Sequence, residues 1–227
     1  MGTFQEQISV VIPMLNAAAE LRLTLAAMAG SALIGDIVAV DGGSRDSSTA
    51  LGEAAGARVI TAPRGRGTQL AAGAAAASGD WLLFLHADCR PLPGWEEAVR
   101  RFIAADEGVA GYFDLALDDA APAARRLERI VAWRCRRLGL PYGDQGMLIH
   151  RRLYDAVGGY AAIPLMEDVD IVRRLGRARL KAIGATMLTS AKRYRRDGYW
   201  RRSVRNLLCL TLYFAGVKPA RIARIYG

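Results

Sequence analysis

His86, Asp88 and Arg90 alternate with Ala87 and Cys89 directly after the apolar run Trp81-Leu82-Leu83-Phe84-Leu85. A carboxylate placed there can hold a hard divalent ion together with a substrate diphosphate, because Mg²⁺ favours one or two carboxylates plus phosphate oxygens. The plainer use of Asp88 is to cap a helix that begins near Gly94. Asp41 leads into Gly42-Gly43-Ser44-Arg45-Asp46-Ser47-Ser48-Thr49. Glycines there allow close backbone approach and the helix start that follows favours phosphate, although an ordinary turn capped by Asp46 has the same composition. Arg64-Gly65-Arg66-Gly67 places two guanidinium groups before a helix, an arrangement suited to phosphate or to a solvated loop. In Glu167-Asp168 one acid can take a proton from a hydroxyl while the other steadies the start of a helix. His86, His150 and Cys89 do not have the spacing of a usual zinc site.

The elements that position these groups follow from apolar patterning. Trp81–Leu85, bounded by Gly79-Asp80 and by Pro91-Leu92-Pro93-Gly94, reads as a strand buried on both faces in the middle of a parallel sheet. Ile8–Pro13, Asp36–Asp41 and Ala57–Ala62 are further strands. Helices are expected over 17–29, after Thr49 and over 68–77. Strand alternating with helix means right-handed βαβ units, and ligands of such sheets sit outside the carboxyl ends of the strands. The second half is less regular. It has helices over 95–105 and 122–138, strands over 109–117 and 147–150, a short helix ending near Val157, and a helix opened by Glu167-Asp168. A last helix is expected over 199–217, and a short one from Pro219.

The 227 residues are 52% hydrophobic, ample for a core and against disorder. Met1–Gln7 is short and polar, so no signal peptide is expected. Three widely spaced cysteines suit a reducing cytoplasm. From Lys192 onward ten basic residues face one acid, Asp197, which accounts for the whole net charge of +9. An anionic partner should therefore be sought in the tail. The uncharged run Leu207–Val217 is too short to span a bilayer, which needs about 20 residues. It can pack on the domain or lie in a membrane interface. Nucleic acid is a weak candidate, since no recognised binding motif accompanies the basic residues.

In chain order the motifs are a strand ending Pro-x-x-Asn, Val-Asp-Gly-Gly-Ser, Leu-Phe-Leu-His-Ala-Asp, Gly-Asp-Gln-Gly, Gly-Gly-Tyr and Met-Glu-Asp. That series resembles the family 2 glycosyltransferases of the A-type, nucleotide-diphospho-sugar transferase fold, and within them the radical-SAM/selenodomain-associated transferases. The resemblance runs from about Ile8 to Arg205. It implies an α/β, Rossmann-like fold with a mostly parallel sheet flanked by helices, a catalytic domain over 1–197 and a helical extension over 198–227. It places Pro13, Asn16, Asp41, Gly43 and His86 at the nucleotide, Arg66 by its diphosphate, and Asp88 on a divalent metal, Mg²⁺ or Mn²⁺. His86 stands where the family's metal motif has its first Asp. Asp168 becomes the base, with Glu167 beside it. Asp144 and Gln145 fall on the acceptor side, and Arg195 or Arg196 near the leaving diphosphate. The implied activity is transfer of a sugar from a nucleotide-diphospho-sugar to an acceptor hydroxyl, inverting and metal-dependent, with an acceptor that can be lipid-linked. The alternative is a non-catalytic module of the same fold that binds nucleotide or a membrane surface. The expected location is the cytoplasm, at the inner face of the membrane if the tail docks there.

Overall fold

The computed structural model describes residues 7–226; all but the last residue of the polar start Met1–Gln7 lies outside them. One eight-stranded sheet, ordered β3-β2-β1-β4-β7-β6-β8-β5, organises the chain. Its first half is parallel: β1 (Ile8–Met14) lies between β2 (Ile34–Asp41) and β4 (Trp81–Phe84), with β3 (Arg58–Thr61) at the edge. All seven residues of β1 are buried, as expected for a strand covered on both faces. Ile8, Val10 and Ile12 face a cluster with Leu21, Leu25 and Trp95, whereas Val11 faces Leu70, Ala74 and Ile171. Each such aliphatic side chain contributes roughly 1.5–3 kcal/mol on burial.

Helices α1 (Ala18–Ala26), α2 (Ser48–Ala54) and α4 (Trp95–Ile103) cover the first face; α3 (Arg66–Ala76), α6 (Arg151–Ala156) and α7 (Glu167–Leu175) cover the second. The alanine content of α3 has a steric reason. A Cβ on Gly73 would stand 2.3 Å from Val11 and 2.9 Å from Val40, so this helix lies flush on the sheet.

β4 is the last strand of the parallel half rather than its centre. Its other neighbour, β7 (Met147–His150), runs antiparallel, as does β7 against β6 (Ala110–Leu117). Two strands that apolar patterning does not reveal complete the sheet: β8 (Leu180–Thr189), parallel to β6, and the three-residue β5 (Cys89–Pro91), antiparallel to β8. The alternation after Trp81–Leu85 is thus partly that of an edge strand, where Pro91 is tolerated for want of a further ladder partner. Helix α5 (Pro122–Leu138) packs on β6 through Val131 and Cys135.

After β8 come α8 (Lys192–Asp197), which the sequence does not announce, α9 (Tyr199–Phe214) and α10 (Pro219–Tyr226). Cys209 and Ile222 from α9 and α10 are wholly buried against Leu165, Met166 and Val169 at the start of α7. Among the described residues no helix is long and apolar enough to cross a membrane.

Candidate active site

The carboxyl ends of β1, β2 and β4 lie side by side at one edge of the sheet, and each leads into a loop. Pro13 is the penultimate residue of β1. The Val11 carbonyl accepts from Leu85 and the Met14 carbonyl from Gly42, so Pro13 turns its missing N–H toward β4 beyond that strand's last paired residue, Phe84. Asn16, in the left-handed region at φ 49, binds the neighbouring loop at two points. Its N–H donates to Ser44 Oγ at 2.9 Å, and its Oδ1 accepts from Arg45 N–H at 2.8 Å. Asp41, almost wholly buried, accepts from the N–H groups of Gly43 and Ser44 at 3.0 Å. Gly43 has φ 95, a conformation that favours glycine. Gln69 of α3 ties the two strand ends together, its Nε2 donating to the carbonyls of Met14 and Val40 at 2.9 and 2.8 Å. The Asp41 loop is therefore a prebuilt, hydrogen-bonded shelf.

Beyond β4, the ligand atoms of His86, Asp88 and Cys89 lie within 4.8 Å of one another. Burial, with the charges of Arg66 and Arg193 adding to it, holds the His86 imidazole well below its usual pKa of 6.5. A neutral imidazole beside a carboxylate is a donor pair that a divalent ion accepts. Burial pushes Asp88 above its ordinary value against the opposing charges of Arg193 and Arg66. Cys89 is fully buried, its thiol driven well above 9.0 by burial and packed 3.3 Å from Thr189 Oγ1. The residues fit a divalent metal through His86 and Asp88, with Cys89 behind them as a neutral thiol. Asp88 does not cap α4, whose start has no side-chain cap.

Asp168 approaches His86 across Gly143. Its Oδ2 accepts from the Gly143 N–H at 2.8 Å, and a Cβ on Gly143 would stand 2.6 Å from His86 Nε2 and 3.4 Å from that Oδ2. No side chain fits between them. Only about 10 Å³ of free space remains here, among His86, Tyr142, Gly143, Tyr160, Glu167 and Asp168, room for about one water. Glu167 turns the other way. It is wholly buried, 3.0 Å from Arg66 Nε, yet no N–H is directed at either of its oxygens. Burial raises it to about 7, with Arg66 opposing and Asp168 adding. The two acids thus divide their tasks: Glu167 holds Arg66, and half-buried Asp168 faces the cleft.

Comparison with known families decides what the site belongs to. Residues 9–163 match the model of glycosyl transferase family 2. The chain belongs to that family. A comparison with curated proteins gives no match. Among solved structures, glucosyl-3-phosphoglycerate synthase from Mycobacterium tuberculosis, in complex with Mn²⁺, uridine diphosphate and glucosyl-3-phosphoglycerate, superposes with a TM-score of 0.56. It is 22% identical, over 82% of this chain and 70% of that one. GalNAc-T7 with UDP, GalNAc and Mn²⁺ gives a TM-score of 0.64 at 16% identity, over 83% of this chain and 44% of that one. These likenesses establish the A-type fold; the family match makes the chain a glycosyltransferase.

In this family 2 glycosyltransferase the remaining candidate residues fall into two groups. Asp144 follows Gly143 on the core side, its carbonyl accepting from Thr189 Oγ1 at 2.7 Å. Its Oδ1 is buried without a partner, and burial together with the Asp168 and Asp88 charges raises its pKa while Arg134 opposes. Gln145 points into the core, donating to the Phe113 carbonyl at 2.9 Å and accepting from Cys135 Sγ at 3.1 Å. Arg195 is held by Asp118 at 3.1 Å and lines, with Asp88, Glu20 and Lys192, a cavity of about 200 Å³. Arg196 pairs with Asp197 at 2.7 Å on the surface. A third α8 cation, Arg193, is the one whose charge acts on both His86 and Asp88. The sequence could have yielded it only as one member of a basic run. A larger cavity, about 540 Å³, lies at the opposite ends of the strands beside Arg22, Ile34 and Asp36, away from this chemistry.

Proposed function

We propose that the chain transfers a sugar from a nucleotide-diphospho-sugar to an acceptor hydroxyl with inversion, Asp168 being the base. The observation that carries this reading is the contact of Asp168 with Gly143 beside His86, which brings one carboxylate to the metal-competent pair at the end of β4. The acceptor O–H gives its proton to Asp168 as its oxygen bonds to the anomeric carbon. On the opposite side, the bond from that carbon to the phosphate oxygen breaks, and the nucleoside diphosphate leaves with the electron pair. One base with no protein nucleophile suits a single inverting displacement. A divalent ion bound through Asp88 and His86 would offset the charge that develops on the departing diphosphate. Arg66 and Arg193 contribute fixed positive charge to the same end. The Asp41 loop takes the base and ribose, the carboxylate keeping lone pairs beyond those used by Gly43 and Ser44. Asp144 stands on the acceptor side. The solved neighbour's name, a synthase acting on phosphoglycerate, supports an anionic acceptor as one class to test alongside lipid-linked hydroxyls. Residues up to about 197 form the catalytic domain in this reading, and the site is cytoplasmic.

Calorimetric titration with nucleotide-sugars and Mn²⁺, followed by turnover assays, tests the proposal. Asp168→Asn should bind donor as the parent does and lose roughly 10²-fold or more in turnover. Asp88→Asn should lose the metal-dependent part of donor binding. Full turnover by Asp168→Asn removes the assigned base.

A further inference from the structure

Helix α9 is apolar on the side it shows to water. Trp200 is 80% exposed and Leu207 63%, and Val204, Leu208 and Phe214 are exposed with them. At about 100° per residue these five, with Thr211 and Ala215, fall within about 120° of arc, and Arg201 borders it. The inward side of the same helix holds an arginine. Arg202, 3% exposed, reaches Asp197 at 3.4 Å and lies over the Tyr226 ring at 4.3 Å. A helix that served only to close the fold would turn Leu207 inward and Arg202 outward. Its inner contacts are already complete, with Cys209 buried against Leu165, Met166, Val169 and Ile222.

Charge decides what covers the outward arc. The segment from Lys192 carries the whole net charge of +9. Arg201, Lys218, Arg221 and Arg224 are all exposed on or just beyond α9. Sixteen residues make a helix of about 24 Å, too short to span a bilayer but suited to lying in its interface. Trp and Leu on one side with Lys and Arg at the margins is the composition of helices that do so. A second copy of this chain would bring like charge against like charge.

We propose that the outward face of α9, with the basic residues around it, docks the enzyme on an anionic membrane surface. Docking would hold α9 and α10 at the headgroups beside the cleft, since Ile222 of α10 packs with Met166, the residue before Glu167. The surface is separate from the donor site, so the inference does not depend on the identity of the donor.

The test is co-sedimentation of the full chain with vesicles of phosphatidylcholine alone or mixed with phosphatidylglycerol, at low salt and at about 0.5 M, where the screening length is about 4 Å. Wild type should pellet with the anionic vesicles only, and salt should release it. Leu207→Glu should lower the partition coefficient at least about tenfold while keeping nucleotide-sugar affinity and the unfolding midpoint, because the side chain is mostly exposed and lies outside the donor site. Arg221→Glu with Arg224→Glu should lower it as well. Three results overturn the proposal: wild type remaining in the supernatant at low salt, Leu207→Glu pelleting like wild type, or light scattering that shows a dimer which Leu207→Glu dissociates. If Leu207→Glu pellets normally and only the arginine reversals release the protein, the basic residues bind anions without the helix face. Loss of nucleotide-sugar binding in wild type would strike the proposed transfer reaction and leave docking untouched.

Discussion

Glu167→Gln isolates the energetic cost of the buried acid. In the folded chain Glu167 titrates at about 7, against an ordinary value of 4.5, chiefly through burial and despite Arg66 at 3.0 Å. Below pH 4.5 folded and unfolded chains both hold the proton, and the group costs nothing. Between 4.5 and about 7 the unfolded chain releases it while the folded chain keeps it, so stability falls as pH rises. Above 7 the cost is complete. The interval from 4.5 to about 7, at about 1.36 kcal/mol per pH unit, comes to about 3 kcal/mol. Glutamine removes the titration and keeps the volume. Losing the partner of Arg66 adds an offset that does not change with pH in this range, because arginine stays charged. Urea unfolding of both proteins at steps between about pH 5 and 8.5 should therefore show the stability difference moving in favour of Glu167→Gln as pH rises. The change should approach about 3 kcal/mol, less the part already complete at the lowest pH. Two stability curves that run parallel over this interval refute the reasoning. They would mean that the carboxylate ionises at its ordinary value, reached by water or fully compensated by Arg66.

Gly143→Ala should push the His86 imidazole aside, since the new Cβ would stand 2.6 Å from its Nε2. Mn²⁺ affinity measured by calorimetry should fall about 10- to 100-fold, the usual effect of disturbing a group that orients a ligand; unchanged affinity would remove His86 from the metal site. Asp41→Ala should cost on the order of 1–3 kcal/mol in nucleotide affinity through a lost charged hydrogen bond. It also frees the amides of Gly43 and Ser44, so its unfolding midpoint should drop, and affinity equal to wild type would make Asp41 a builder of the loop alone.

The parallel half of the fold is legible because burial on both faces leaves uninterrupted apolar runs such as Val10–Ile12 and Trp81–Leu85. β8 leaves no such trace. Gly184 interrupts it at φ 82, and only Ile183, Met187 and Thr189 of its ten residues are buried. β5 has three residues and ends in proline. The same distinction governs the site. Asp41 and Asp168 can be picked out because one ends a strand and the other opens a helix, and Asp88 because it closely follows an apolar run. The partition of labour between Glu167 and Asp168 cannot be read that way. It is set by Arg66, 101 positions from Glu167 in the chain, and by Gly143. No local pattern reports a contact between residues so far apart.

That partition also explains why the C-terminal helices matter to the chemistry. The acidic pair is aimed by Met166, which adopts φ 68, a left-handed conformation disfavoured for a side chain of that kind. Such a conformation persists only where its surroundings fix it. Met166 is buried with Leu165 and Val169 against Cys209 of α9 and Ile222 of α10. The contacts that hold Met166 in this turn therefore come largely from the extension that also exposes Trp200 and Leu207. A segment whose composition suggests an appendage is, through one strained residue, a support for the residue we assign as the base. Whatever α9 rests on is then separated from Glu167 and Asp168 by that helix and the side chains of Leu165, Met166 and Val169 that pack on its inner side.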